Sequence, residues 1–310
     1  MKTLLLIDGN AVMHRAYHAL PPFKTQSGIP TNAIFGFLSI LNKAISDFHP
    51  SHLVVCFDTP TPTFRKKLFV EYQSQRPKIE DNLKTQFVPV KEALDAAGIT
   101  HLEKPGFEAD DLIGTISHHF DKNGIKVLIL SGDRDIIQLV RNNVYVVTPH
   151  IGFAQTKIYD EEEVQKKFGI SAKQIPDYKA LAGDQSDNYK GAKGIGPKTA
   201  AKLLSQFKTL ENLFSNLNKL DEKTRTILKD HKKNILLSKK LATIMQDVKI
   251  KFEIKNTAFV KFNENLKGIL LKYEIRSLIN RFFKETIQPT KKEVTTKKKE
   301  MEDKSQMGLF

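Results

Sequence analysis

The chain has 310 residues, and its 49 Lys and Arg against 35 Asp and Glu give a formal net charge of +14. That length allows one large domain, or a core domain with a smaller one, and the basic surplus indicates a polyanionic partner. The single cysteine, Cys56, excludes an intrachain disulfide framework and a cysteine-rich zinc site. With no signal peptide and no apolar run of membrane-spanning length, we expect a cytoplasmic protein with no membrane partner.

Apolar runs followed by carboxylates dominate the first half of the chain. Such runs predict strands that are buried on both faces of a sheet; they are residues 4–7, 53–57, 99–102, 127–130 and 144–147. Residues 33–48 show the apolar stripe of a helix that covers such a sheet. Three of the runs lead into Asp8, Asp58, and the pair Asp133 and Asp135. Because the carboxyl ends of parallel strands meet at one crevice, we expect these side chains to converge.

Glu108, Asp110 and Asp111 place three carboxylates within four residues, at the predicted start of a helix. Glu108 and Asp111 are three apart and share a helix face, whereas Asp110 points elsewhere. Taken alone, the run fits equally well an ordinary acidic first turn. Together with the strand-end carboxylates and with Asp184 and Asp187, it gives an oxygen-only ligand set that suits Mg²⁺ or Mn²⁺ rather than zinc.

Residues 65–84 interleave basic and aromatic side chains after two prolines, Pro60 and Pro62. This combination suits phosphate contact with base stacking. The alternative is a solvated connection, although connections of this length are uncommon in compact domains unless they are functional.

From residue 160 the sequence predicts helices with short loops, and it contains the run Gly194, Ile195, Gly196, Pro197 and Lys198. The run is close to a phosphate-binding loop, but the proline intrudes and no strand precedes it, so we reject nucleotide binding. A tight glycine turn into a helix that begins with proline is the better interpretation. The free backbone N–H groups of this turn would face a DNA phosphate. An ordinary helical hairpin remains the alternative.

These motifs resemble the 5′-nuclease domain of bacterial family-A DNA polymerases and the wider flap endonuclease family. The resemblance runs from Met1 to about Phe283, on residues 6–10, 57–58, 64–65, 108–111, 131–135, 183–188 and 194–198. It implies a PIN-like α/β fold with a mainly parallel central sheet flanked by helices. The implied regions are a catalytic core over 1–159 with a helical arch at about 64–90, a helical region over 160–284 with a helix-turn-helix element at about 183–204, and a disordered basic tail over 285–310. Because the polymerase and proofreading segments do not follow, a free-standing nuclease is expected.

The resemblance also implies roles for individual residues. The ligands implied for a first metal ion are Asp8, Asp58, Glu108, Asp110 and Asp111, and those for a second are Asp133, Asp135, Asp184 and Asp187. Arg65 would stabilise charge on the scissile phosphate. The implied DNA-binding residues are Lys66, Lys67, Tyr72, Arg76, Lys193, Gly194, Gly196, Lys198 and Lys202, with a K⁺ ion held by the backbone of Gly194, Ile195 and Gly196. Two positions depart from the family pattern: Gln73 replaces an arch lysine, and His14 replaces an aromatic residue that stacks on a base.

The function implied is that of a metal-dependent 5′→3′ exonuclease and flap endonuclease. It would act on branched or nicked duplex DNA with a 5′ flap, in Okazaki-fragment processing with RNA primer removal and in DNA repair, as a monomer in the bacterial cytoplasm at the nucleoid. Two rivals are a catalytically weak structure-specific DNA-binding protein and a PIN-type RNA endonuclease. The chain ends in a peptide similar to those that bind the sliding clamp, with Gln306, Met307, Leu309 and Phe310 as its contact residues; a chance apolar terminus is the alternative.

Overall fold

A computed structural model of the chain describes residues 2–149 and 156–283. Its centre is a six-stranded sheet in the order β3-β2-β1-β4-β5-β6. The strands are β1 (Thr3–Asp8), β2 (His52–Phe57), β3 (Thr100–Glu103), β4 (Lys126–Leu130), β5 (Val144–Pro149) and β6 (Thr156–Tyr159). The first five run parallel and confirm the predicted mainly parallel sheet. The expectation that residues 144–147 close the sheet is wrong, because β6 adds an antiparallel edge.

Helices cover both faces of this sheet and continue into a second, helical region. In chain order they are α1 (Gly9–Ala19), α2 (Asn32–Phe48), α3 (Phe64–Leu68), α4 (Asp81–Lys84), α5 (Phe87–Ala97), α6 (Ala109–Lys122), α7 (Glu161–Phe168), α8 (Ile175–Ala182), α9 (Pro197–Phe207), α10 (Leu210–Ser215), α11 (Glu222–Asp230), α12 (Lys232–Ala242), α13 (Leu266–Lys272) and α14 (Arg276–Phe283). No helix in this described part of the chain is long and apolar enough to cross a membrane.

Alternate strand residues point to opposite faces of the sheet and contribute to two apolar cores, one on each face. Leu5 packs with α1, α2 and α5 on one face, and Leu6 packs with α6 on the other. The predicted helix over residues 33–48 is confirmed as α2, which buries Phe37 and Leu41 against the first core. The two cores fix the strands, and therefore the carboxylates at their ends, between rigid helices.

The helices of residues 160–284 pack against two different parts of the molecule. Helices α8 to α12 build a core of their own, centred on residues such as Leu181 and Leu204. Val164 of α7, however, packs against the sheet, and Leu266 and Leu278 of α13 and α14 join the first sheet core. Apolar periodicity shows that a helix has a buried face but does not show which partner covers it, so the sequence could not show that these segments pack against the sheet.

Only the ends of the predicted arch over residues 64–90 are helical. Helix α3 covers five residues and α4 four, and the chain between them is irregular. Pro77 removes a backbone donor there, and Gln73 adopts the left-handed region with a φ of 54°. The middle of the segment is held by contacts to the acidic site rather than by helical hydrogen bonds.

Candidate active site

The strand ends bring Asp8 and Asp58 to one crevice, as the sequence predicts. Asp8 is the last residue of β1 and the N-cap of α1. Its carboxylate accepts hydrogen bonds from the Ala11 N–H at 2.9 Å and from the Ser131 hydroxyl, which follows β4, at 2.7 Å. Asp58 follows β2 and accepts from the Ala109 N–H at 2.7 Å, so the start of α6 holds it in place.

Arg65 and Asp111 form a buried ion pair. The guanidinium contacts both Asp111 carboxylate oxygens at 2.7 and 2.8 Å, Glu108 at 3.1 Å, and the carbonyls of Leu241 and Thr243 at 2.8 Å. These contacts occupy all five of its N–H donors. Arg65 is 2% exposed and Asp111 is fully buried. In this structure Arg65 therefore has no free donor for a phosphate, and Asp111 binds the arginine where the sequence predicted a metal.

Seven of the nine predicted acidic ligands line a single cavity of about 640 Å³. They are Asp8, Asp58, Glu108, Asp110, Asp133, Asp135 and Asp187. Asp110, which the helix pattern placed away from Glu108 and Asp111, faces this cavity. Asp111 and Asp184 are not among the residues that line it.

Burial makes the charged state of these carboxylates unfavourable. It raises the pKa of Asp8 to about 7 and, against the attraction of Arg65, the pKa of Glu108 to about 7. Burial and the negative charges of Asp133 and Asp8 together raise the pKa of Asp110 well above its ordinary value. A cation among them would remove both penalties, so this oxygen donor set fits a divalent metal ion.

A second acidic group lies at the edge of the cavity, where oxygens of Asp135, Asp184 and Asp187 come within 4.8 Å of one another. Two basic side chains of the protein contact this group. Lys179 of α8 contacts both Asp135 and Asp184, and Arg76 lies 2.5 Å from Asp187. Sequence reasoning missed Lys179, because nothing in the pattern of α8 sets this lysine apart from other helix lysines.

The middle of the arch segment folds onto these acids. Tyr72 is 3% exposed and donates its hydroxyl to Asp187 at 3.1 Å, so in this structure it does not present its ring to a base as predicted. Gln73 donates its side-chain amide to Asp187 at 3.2 Å. Lys66 donates to the Tyr72 carbonyl at 2.8 Å, whereas Lys67 is exposed.

His14 of α1 faces the same cavity, and its ring stacks on that of His18 with centroids 6.3 Å apart. Burial lowers the pKa of His14, and the positive charges of His18 and Arg76 lower it further. The neutral ring is therefore favoured near neutral pH. It lies at the cavity, at the position where the family pattern has an aromatic side chain.

The glycine turn joins α8 to α9 as the sequence predicts. Gly196 is the N-cap of α9 and Pro197 its first residue, and Lys193, Lys198 and Lys202 are exposed around them. Gly194 has a φ of 103°, which only glycine adopts without strain. The Ile195 N–H donates to the Ala192 carbonyl inside the turn, so this donor is not free for a phosphate as we expected.

Comparison with known families decides the assignment. A family model described as the 5′-3′ exonuclease N-terminal resolvase-like domain matches residues 3–169, and one described as the 5′-3′ exonuclease C-terminal SAM fold matches residues 170–265. The chain belongs to the 5′-3′ exonuclease family. The two models meet just after α7, in agreement with the packing of that helix on the sheet.

Relatives of this 5′-3′ exonuclease family member include a protein of similar length and larger proteins. The 5′-3′ exonuclease of Aquifex aeolicus is 41% identical over 280 residues, which are 90% of this chain and 94% of that protein. DNA polymerase I of Caldicellulosiruptor bescii is 40% identical over 281 residues, 90% of this chain and 33% of the polymerase. The T5 D15 flap endonuclease, solved with DNA and metal ions, shares the fold at a TM-score of 0.63 and 20% identity, over 78% of this chain and 89% of that one. The family and fold predicted from the sequence are confirmed.

Proposed function

We propose that this chain is a metal-dependent 5′→3′ exonuclease and flap endonuclease. It cuts branched or nicked duplex DNA that carries a 5′ flap and leaves a 5′-phosphate and a 3′-hydroxyl. The observation that carries the proposal is the cavity lined by Asp8, Asp58, Glu108, Asp110 and Asp133. Among the ion pairs of residues 2–149 and 156–283, no lysine or arginine is paired with Asp8, Asp58, Asp110 or Asp133.

Two groups of acids are suited to hold Mg²⁺ or Mn²⁺. Asp8, Asp58, Glu108 and Asp110 form the first group, and Asp135, Asp184 and Asp187 form the second. Asp133 lies between the groups, since its charge raises the pKa of Asp110 and its own pKa rises through burial and the charge of Asp187. When bound, such ions activate water and stabilise negative charge on the phosphate and on the leaving oxygen.

The protein side chains position this chemistry rather than carry it. Arg65 fixes Glu108 and Asp111 at the start of α6, which in turn sets the direction of Asp110. The exposed Lys67 and the half-exposed Arg76 are placed to contact the DNA backbone beside the cavity, and Lys66 is within reach of the cavity wall. Tyr72 and Gln73 can join them when the arch leaves the acids.

We propose that the glycine turn binds the duplex. Lys193, Lys198 and Lys202 supply exposed positive charge, and the backbone at Gly194 and Gly196 is exposed between them. We propose that the carbonyl groups of residues 194–196 bind a K⁺ ion shared with a DNA phosphate. This grip would be independent of base sequence, because phosphate contacts position a protein without reading bases.

A nuclease of this kind serves Okazaki-fragment processing, including RNA primer removal, and DNA repair. We propose that it acts as a monomer in the bacterial cytoplasm, at the nucleoid. The role on DNA is supported by family membership and by the basic surplus of the chain.

Sliding-clamp binding through Gln306, Met307, Leu309 and Phe310 is a further part of the proposal, and these residues lie outside the described ones. It is supported by the sequence alone: an apolar trio with a glutamine ends a polar tail, and tethering raises effective concentration even when a peptide binds weakly. Calorimetric titration of the clamp with the full chain and with a truncation ending at Ser305 tests it. Equal binding by both, or binding by neither, removes this part.

A duplex with a 5′-labelled flap tests the catalytic proposal. With Mg²⁺ we expect the purified protein to release the labelled flap, and with EDTA we expect binding without release. Binding without cleavage in Mg²⁺ would instead favour the structure-specific DNA-binding protein. Cleavage of single-stranded RNA in preference to the flap would favour the PIN-type endonuclease.

A further inference from the structure

Lys179 lies in α8, and its ammonium group bridges two of the three acids in the second group. It contacts Asp135 and lies 2.5 Å from an oxygen of Asp184. The lysine side chain is 15% exposed and the two carboxylates are 14% and 10% exposed, so water screens these contacts weakly. The third acid, Asp187, forms an ion pair with Arg76 of the arch.

The two acidic groups therefore differ in how their charge is balanced. Asp8 and Asp58 accept backbone hydrogen bonds and have no ion pair among the described residues, whereas Asp135, Asp184 and Asp187 already contact protein cations. A divalent ion bound by the second group would lie beside the Lys179 ammonium. The two positive charges would repel each other strongly, because water screens them weakly there. The ammonium and the ion therefore compete for the two carboxylates.

We propose that Lys179 is the resident counter-ion of the second cation site, which a divalent metal ion must displace from Asp135 and Asp184 in order to bind. This inference rests on the proposed metal-dependent function. Its consequence is that the two metal sites differ in affinity: the first binds readily, and the second fills at higher metal concentration. The flexible stem of lysine and its position at the cavity edge allow the ammonium to move out when the ion enters.

Displacement of the lysine also gives it a second position. An ammonium released from two carboxylates beside a phosphate-binding cavity has the charge to pair with the DNA backbone. Binding of DNA would then favour the displaced position and so raise metal affinity at the second site, because coupling between two ligands is reciprocal. Lys179 is in this account a positioning residue for charge, not a group that reacts.

Counting and titrating bound Mn²⁺ tests the inference without an activity readout. The variant Lys179→Met keeps the length of the side chain and removes its charge, and Lys173→Met removes the same charge from an exposed lysine nearby in the sequence. By calorimetry and by electron paramagnetic resonance of free Mn²⁺, the wild type and Lys173→Met should show one tighter and one weaker site. Lys179→Met should bind the weaker ion roughly tenfold more tightly, within the range of typical coupling.

An unchanged or weaker second site in Lys179→Met would overturn the inference. Failure of the wild type to bind any Mn²⁺ would instead overturn the proposed function, so the two failures are distinguishable.

A melting experiment supplies a second measurement. If Lys179→Met does not fold, Lys179→Gln takes its place in both experiments. In EDTA the variant should melt below the wild type, because two acids lose their counter-ion, and saturating Mn²⁺ should close the gap; a gap that persists in Mn²⁺ contradicts the inference.

Discussion

At the scale of single residues, the partner of each buried charge decides its role. Arg65 and Asp111 have the sequence context of catalytic groups, yet their side chains form a hydrogen-bonded ion pair inside the protein. A spacing of 46 residues in the chain gives no sign of such a pair, so motif reasoning assigned one to phosphate and the other to metal.

Replacement of Arg65 should therefore make the folded protein less stable. We expect Arg65→Met to lower the free energy of unfolding by about 3–5 kcal/mol, since it leaves the buried Asp111 without its partner. The double variant Arg65→Met with Asp111→Leu should recover much of the loss, because both buried charges are then gone. Urea unfolding measures both. An Arg65→Met variant that is as stable as the wild type but inactive would favour the phosphate role that the sequence predicted.

Gln73 contacts Asp187 with an uncharged amide where the family pattern has a lysine. If the missing charge matters in the transition state, Gln73→Lys should raise the single-turnover cleavage rate by up to about tenfold, the equivalent of about 1.4 kcal/mol, with a smaller change in DNA affinity. Gln75→Lys, at an exposed arch position, is the matched control. An unchanged rate would mean that Arg76 already fills the role.

At the scale of elements, the glycine turn is built for close backbone approach. A Cβ on Gly191 would lie 2.2 Å from the Leu181 carbonyl, and one on Gly194 would lie 3.1 Å from the Ile227 side chain. The two glycines let α8, α9 and α11 pack closely together. The lysines of α9 therefore project from a helix whose position is fixed.

Lys198→Ala with Lys202→Ala should weaken duplex binding uniformly across sequences. For every phosphate that the double variant no longer neutralises, the slope of log affinity against log salt should also fall by about one. Fluorescence anisotropy at several salt concentrations measures both quantities. The control is Lys122→Ala with Lys249→Ala, two exposed lysines outside the turn, which should change little. Equal affinities and slopes for both double variants would remove the turn from the DNA interface.

The elements that sequence predicted are those with one dominant signal. Buried parallel strands appear as continuous apolar runs, and α2 shows a clean apolar stripe. Helix α1 was not predicted because it begins with Gly9 and Asn10 and mixes polar and apolar residues. Strand β6 has only four residues, at a sheet edge. The compact arch depends on contacts to Asp187 from more than 100 residues earlier in the chain, and local pattern cannot reveal these.

At the scale of the whole molecule, the acids couple stability to pH and metal. Burial raises the pKa of Asp8 from 3.8, and that of Glu108 from 4.5, to about 7 in each case. Between those values the folded state holds protons that the unfolded state has lost, so the free energy of unfolding falls as pH rises toward 7 and this loss is complete above it. The metal-free protein therefore carries the full destabilisation at about pH 8 and little of it at about pH 4.

Metal binding should reverse that loss, because a ligand that binds only the folded state stabilises it. We expect Mg²⁺ to raise the melting temperature more at about pH 8 than at about pH 5, where protons compete for the same carboxylates. Calorimetric scans in EDTA and in Mg²⁺ at the two pH values measure the difference. Equal increments at both values would contradict the assignment of Asp8 and Glu108 to a metal site.

The most direct test of the central claim, that the acids lining the cavity form a metal-dependent nuclease site, is cleavage of a 5′-labelled flap duplex by Asp133→Asn in Mg²⁺. Asp133 lies between the two acidic groups and lines the cavity. The variant removes a carboxylate that we propose as a metal ligand and also reduces repulsion of the DNA phosphate. We expect no detectable cleavage together with flap-DNA affinity equal to or slightly tighter than that of the wild type. Cleavage by Asp133→Asn near the wild-type rate would contradict the account.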